Sequence, residues 1–154
     1  MDALGNFVNI HDRDISFQGC SRCEGFCCQG KNGFMMAPLI LDDFEEVFEH
    51  FPIVFAFHES HLNILMLIND GQSACRYLNA NGCAIYDHRP PACKLYPISP
   101  YYEHILVDTS CPSVNFFHGT KLYRQGTLHP AFQTKRLENF ILKREATQAF
   151  LSTI

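Results

Sequence analysis

The spacing of hydrophobic positions changes several times along the chain, and each change marks an element. Phe7, Ile10, Ile15 and Phe17 alternate loosely through residues 1–19, which predicts a strand or extended lead-in. Phe34 to Leu41 is an apolar run of strand length. Asp42 stands three residues before Glu45, a capping-box spacing that predicts a helix to about Phe51, with Pro52 ending it. Leu62 to Ile68 reads as a buried strand stopped by the turn signal Asn69-Asp70-Gly71. Cys75 to Leu78 and Cys83 to Tyr86 read as short strands joined by Asn79-Ala80-Asn81-Gly82. A helical turn is expected over Ala92 to Tyr96, between Arg89-Pro90-Pro91 and Pro97, and a strand over His104 to Thr109. From about residue 130 to 152 the pattern turns helical, with Leu137, Phe140, Ile141 and Leu151 near one face. These elements predict a small α+β protein, a single domain over residues 1–154, with short strands, irregular cysteine-bearing loops and a C-terminal helix.

Composition narrows the function classes. A chain of 154 residues with 47% hydrophobic and 18% charged positions can bury a core of its own. Its formal net charge of −4 supplies no bulk attraction to nucleic acid or to an anionic membrane. The longest apolar run, near Ile64 to Ile68, is too short to cross a bilayer. The first residues lack the basic and apolar regions of a signal peptide, so a cytoplasmic location is expected. Thiols stay mostly reduced there, and eight cysteines then point to metal rather than to disulfides.

Four of the eight lie in Cys20-Ser-Arg-Cys23-Glu-Gly-Phe-Cys27-Cys28, followed by Cys75, Cys83, Cys93 and Cys111. Thiolates suit soft and borderline metals because sulfur is polarisable and loses its proton on binding. The Cys20-x-x-Cys23 spacing lets two sulfurs grip one ion, and Cys27 lies within reach. Consecutive side chains tend to diverge, so Cys28 beside Cys27 suggests two neighbouring centres or a polynuclear cluster. Eight thiolates fit two four-Cys tetrahedral sites, one iron–sulfur cluster with a second metal, or a compact multinuclear site. No histidine stands at zinc-finger spacing from these cysteines.

The order Cys20-x-x-Cys23-x-x-x-Cys27-Cys28, Cys75-Arg76-Tyr77-Leu78, Gly82-Cys83-Ala84-Ile85-Tyr86-Asp87-His88-Arg89-Pro90-Pro91-Ala92-Cys93-Lys94-Leu95-Tyr96-Pro97 and Cys111 resembles the YkgJ-type cysteine-cluster family. The resemblance covers residues 20–112 and leaves the C-terminal helix outside. It implies a zinc- or iron-chelating domain, with the eight cysteines as ligands, in a group composed mostly of small bacterial proteins. A related cluster occurs in a flagellin lysine methylase associated with an iron–sulfur centre. No S-adenosylmethionine fingerprint is visible here, so metal binding carries over and methylation does not. Lys94 departs from the arginine common in the family, and the two cations are not equivalent donors.

Around the sulfurs, Arg89 lies between Cys83 and Cys93, where a guanidinium can tune a metal centre; a surface or Asp87-paired arginine is the plainer alternative. Tyr86, taken with Arg89 as a cofactor-binding candidate, and Tyr96 otherwise read as packing residues with polar tips. His88 is a candidate extra ligand or a solvent-facing side chain. His58 and His61 would share a face only on a helix, whereas Leu62 begins a strand pattern. Met35-Met36 reads as core rather than as a copper motif. Asp42-Asp43 and Glu45-Glu46 read as the acidic first turn of a helix. No catalytic residues are assigned, because neither a nucleophile elbow, a phosphate loop nor a Gly-x-Gly-x-x-Gly run is present. The expected function is a metal-binding protein whose cysteines hold an iron–sulfur or other polynuclear iron centre for storage, delivery or redox sensing. The alternatives are a structural zinc protein acting through a protein partner, and a metal-dependent redox or group-transfer enzyme.

Overall fold

Strands are short here because the apolar runs are short and punctuated by glycine, proline and asparagine. The computed structural model describes residues 6–12, 14–19, 24–30, 34–58, 61–101, 104–124, 127–129 and 134–154. In chain order come β1 (Phe7–Asn9), β2 (Ser16–Phe17), β3 (Phe34–Pro38), α1 (Phe44–His50), β4 (Ile53–His58) and β5 (His61–Asp70). Then follow β6 (Leu78–Asn79), β7 (Gly82–Cys83), the short helix α2 (Pro91–Leu95), β8 (Ile98–Tyr101) and β9 (His104–Asp108). Last are β10 (Val114–Asn115), β11 (Thr120–Lys121), β12 (Tyr123–Arg124), β13 (Thr127–Leu128) and α3 (Thr134–Leu151). Small antiparallel sheets with separate helices make this the expected α+β class. By its internal contacts the chain forms two compact units, Met1–Glu24 with Leu95–Glu138, and Gly25–Lys94 with Asn139–Ile154. Among the described residues no helix is long and apolar enough to cross a membrane.

In the first unit β9 lies between β1 and β8, pairing Phe7 with Asp108 and Ile98 with Val107. β2 lies between β10 and β11, and β12 pairs with β13. Ile10, Ile15, Leu106, Val107 and Leu122 are buried. Strand β8 was not anticipated from the sequence because Pro100 interrupts its pattern. It is an edge strand, where a missing backbone donor is tolerated. Asp108 is buried and satisfied: the Tyr96 hydroxyl donates to it at 2.8 Å, and the Ser110 backbone N–H donates at 2.9 Å. Tyr96 is therefore the expected half-buried ring with a bonded polar tip.

In the second unit β5 is the central strand, flanked by β3 and β4. Leu39, Val47, Phe51, Ile64, Met66, Cys75 and Leu151 form its buried core. β5 matches the expected strand but is longer, and burial along it alternates instead of running continuously, since only one face meets the core. A bulge falls between Met35 and Met36 and leaves Met36 partly exposed, so the pair is not the core dipeptide expected. His58 and His61 are strand partners across the β4–β5 hairpin, which removes the helical pairing.

The capping box also fails. A 3-10 turn over Leu41–Asp43 precedes α1, the cap position falls on Asp43, and no side-chain cap bond forms. The Leu41 N–H instead donates to Thr147 Oγ1 on α3 at 3.0 Å, while Asp42 pairs with Lys143 at 3.1 Å. α1 ends at His50, with Phe51 extended ahead of Pro52 as expected. α3 begins at Thr134; the expected residues 130–133 lie outside those described. Leu137, Phe140, Thr147 and Leu151 are buried along it, and Gln148 Nε2 donates to the Leu62 carbonyl at 3.2 Å.

Candidate metal centre

Five of the eight candidate ligands, Cys27, Cys28, Cys75, Cys83 and Cys93, belong to the second unit, and Cys111 belongs to the first. Cys20 and Cys23 lie outside the described residues. The six described cysteines are thiols, with no disulfide among them. Cys111 is buried in the turn after β9, its N–H donating to the Asp108 carbonyl at 3.3 Å.

Gly25 starts the cysteine loop of the second unit. Its φ of 73° is left-handed, and a Cβ there would stand 2.5 Å from Leu78 Cδ1, so only glycine fits without displacing that side chain. The chain then tightens into a 3-10 turn over Phe26–Cys28, closed by the Cys28 N–H on the Gly25 carbonyl at 2.8 Å. This curvature brings the Cys27 and Cys28 sulfurs to 3.9 Å. The expected divergence of consecutive side chains is thereby overturned: the turn gathers both sulfurs on one side.

The loop is tied to Cys75 through the backbone, since the Cys75 N–H donates to the Cys28 carbonyl at 2.6 Å. Gly30 completes the closure; a Cβ there would lie 2.6 Å from the Ser73 carbonyl oxygen. Cys75 is 5% exposed and is part of the apolar core, against which Cys28 and Cys93 also pack. It sits in a turn rather than in the expected strand, and the hairpin narrows to β6 and β7, which set Cys83 opposite Leu78. Cys93 is carried by α2, where helix was expected.

Cys28, Cys75 and Cys93 hold their protons tightly. The hydrogen bond to Cys27 pushes Cys28 up to about 12, with burial adding to the effect and the bond from Cys75 opposing it. Cys75 is driven strongly upward by its hydrogen bond to Cys28 and by burial. Cys28 thus interacts with both Cys27 and Cys75, and either sulfur of the Cys27–Cys28 pair can donate. Burial pushes Cys93 up to about 12, helped by the charges of Cys28, Cys75 and Cys83, while Arg89 acts in the opposite direction. A cation among these sulfurs would reverse that balance by stabilising thiolate.

Arg89 is half-buried. Its Nε donates to the Tyr86 carbonyl at 2.8 Å and its guanidinium lies 3.7 Å from the Tyr86 ring centroid. Tyr86 is 52% exposed, a stacking platform for Arg89 and not the packed ring expected. The ion pairs among the described residues, Lys121–Asp14 and Lys143–Asp42, do not include Arg89 with Asp87. His88 is exposed. The Lys94 charge bears on Asp43, whose carboxyl is raised chiefly by burial.

Among the described residues no three His, Cys, Asp or Glu side chains stand close enough to form a ready-made ion cage. The donor chemistry nevertheless fits zinc or iron: soft sulfurs that would repel one another as thiolates, with the Arg89 guanidinium acting on Cys93. Sequence reasoning missed Asn69, which was read only as part of a turn. It is buried at the end of β5, and its Nδ2 donates to the Cys27 carbonyl at 3.3 Å.

A model of one protein family matches residues 19–112, well over half of the chain. That family is CxxCxxCC, described as "Putative zinc- or iron-chelating domain". Neither the search of curated proteins nor that of solved structures returned a match.

Proposed function

Because the chain belongs to the CxxCxxCC family of zinc- or iron-chelating domains, we propose that it holds a polynuclear thiolate metal centre, with iron as the metal. One observation carries this reading. Five thiols belong to one unit, and Cys28, Cys75 and Cys93 are each held in the protonated form by burial and by neighbouring cysteines. Four thiolates complete a tetrahedral ion, and Cys27, beside Cys28, is a fifth that favours a bridged or clustered centre over a single ion. The first unit carries its own candidate ligands, Cys20, Cys23 and Cys111. Arg89, steadied by Tyr86, bears on Cys93 and is suited to tuning the centre. The chemistry concentrated here is ligation, which suits storage, delivery or redox sensing in a reducing cytoplasm.

A structural zinc site is favoured by a separate feature. The 3.9 Å between the Cys27 and Cys28 sulfurs is close to the edge of a tetrahedral zinc–thiolate set, about 3.8 Å for Zn–S bonds near 2.3 Å. Metal and acid-labile sulfide analysis, with an absorption spectrum of protein purified without oxygen, separates the two. Iron, sulfide and a broad visible band are expected. Colourless protein carrying stoichiometric zinc would replace the iron reading with the structural one. Ser substitution at Cys28, Cys83 or Cys93 is expected to lower bound metal by at least half. Full occupancy in all three variants would overturn the ligand set.

A further inference from the structure

Two consecutive carbonyls of the cysteine loop are each held by a separate donor. The Cys28 carbonyl accepts from the Cys75 N–H, and the Cys27 carbonyl accepts from Asn69 Nδ2. The Cys75 bond fixes the plane that follows Cys28, while the peptide plane between Cys27 and Cys28 is fixed by the Asn69 bond to the Cys27 carbonyl and by the Cys28 N–H donating to the Gly25 carbonyl at 2.8 Å. That plane determines whether the two sulfurs converge, as they do at 3.9 Å, or point apart. Asn69 can perform this task because it is itself anchored. It is 6% exposed, and its Oδ1 accepts from the Gly71 N–H at 3.2 Å, which turns the amide so that Nδ2 faces Cys27. Asp70 fixes the same turn through the N–H groups of Gln72 and Ser73. Hence the segment from the end of β5 to Cys75 holds the Cys27–Cys28 arm at two points.

We infer that Asn69 is the positioning residue of the Cys27–Cys28 pair, setting the angle at which two adjacent thiolates meet a metal. The inference rests on the ligand set proposed above. Asn69 acts through the Cys27 carbonyl and does not touch the metal. A turn-forming role would need only the Oδ1 acceptor; the positioning role needs the Nδ2 donor as well. Asn69→Asp separates them, because it keeps an acceptor for the Gly71 N–H and opposes the Cys27 carbonyl with an oxygen.

The test titrates the full, reduced, metal-free chain with cobalt(II), whose ligand-field and thiolate charge-transfer bands report geometry. Asn69→Asp is expected to weaken cobalt binding on the order of tenfold or more, the range seen when a group supporting a ligand is lost. It is also expected to displace the bands at saturating metal and speed amide exchange at Cys75. Should that variant not fold, Asn69→Ser, too short to reach Cys27, carries the same expectation. Affinity within twofold of the native chain, with unchanged bands, would overturn the role of Asn69 and leave the metal centre standing. A native chain that takes up no cobalt would instead overturn the ligand set, and the inference with it.

Discussion

A thiol must surrender its proton to bind metal, and Cys28, Cys75 and Cys93 are held by their neighbours in the protonated form. Each lies above the ordinary cysteine value of 9.0 in the folded chain. The metal-free fold therefore keeps protons that the unfolded chain would release as pH climbs past 9. Their contribution is fully present below pH 9 and is lost as pH rises through the folded values, about 12 for Cys28 and Cys93. The thermal midpoint of reduced, metal-free protein is expected to fall from pH 9 upward, whereas metal-loaded protein, already in the thiolate form, escapes this decline. Arg89→Gln removes the guanidinium that draws Cys93 downward, so the pH midpoint of metal uptake is expected to rise, readable by cobalt absorbance across a pH series. At this scale the cysteines were legible because their density is unusual and their chemistry narrow. Asn69 was not, because its donor acts on a carbonyl 42 positions away, a relation that no local spacing encodes.

Between elements, a buried hydroxyl on α3 bonds the turn that precedes α1, beside the Asp42–Lys143 ion pair. Thr147 Oγ1 accepts from the Leu41 N–H and donates to the Lys143 carbonyl at 2.9 Å, and the residue is buried. Thr147→Val keeps the shape and removes both bonds, leaving the Leu41 donor without its partner. A loss of about 1–3 kcal/mol is expected in denaturant unfolding; an unchanged midpoint would mean that Leu41 finds another acceptor. The same junction explains where sequence reading succeeded and failed. Strand β5 and helix α3 were legible because their lengths and apolar spacing are distinctive. The cap at Asp42 was misread because a 3-10 turn over Leu41–Asp43 moves the cap position on to Asp43. Bridges such as β10 to β13 are two residues each, too short to have a period, and exist only because their partners are folded nearby.

For the whole molecule, the candidate ligands are unevenly divided: five described thiols belong to the unit built on β3, β4 and β5. Metal removal should therefore be felt unequally. Hydrogen exchange of loaded and metal-free protein is expected to show the largest loss of protection within residues 25–94, with β1, β8 and β9 changing least. An equal loss in both units would contradict the assignment of the main centre to the second. Cys75 gives this arrangement a consequence beyond binding. It is at once a ligand candidate and part of the apolar core with Leu39, Ile64 and Met66. An aliphatic side chain that never meets the ion can then alter its hold on the protein by shifting Cys75 through the width of a methyl group.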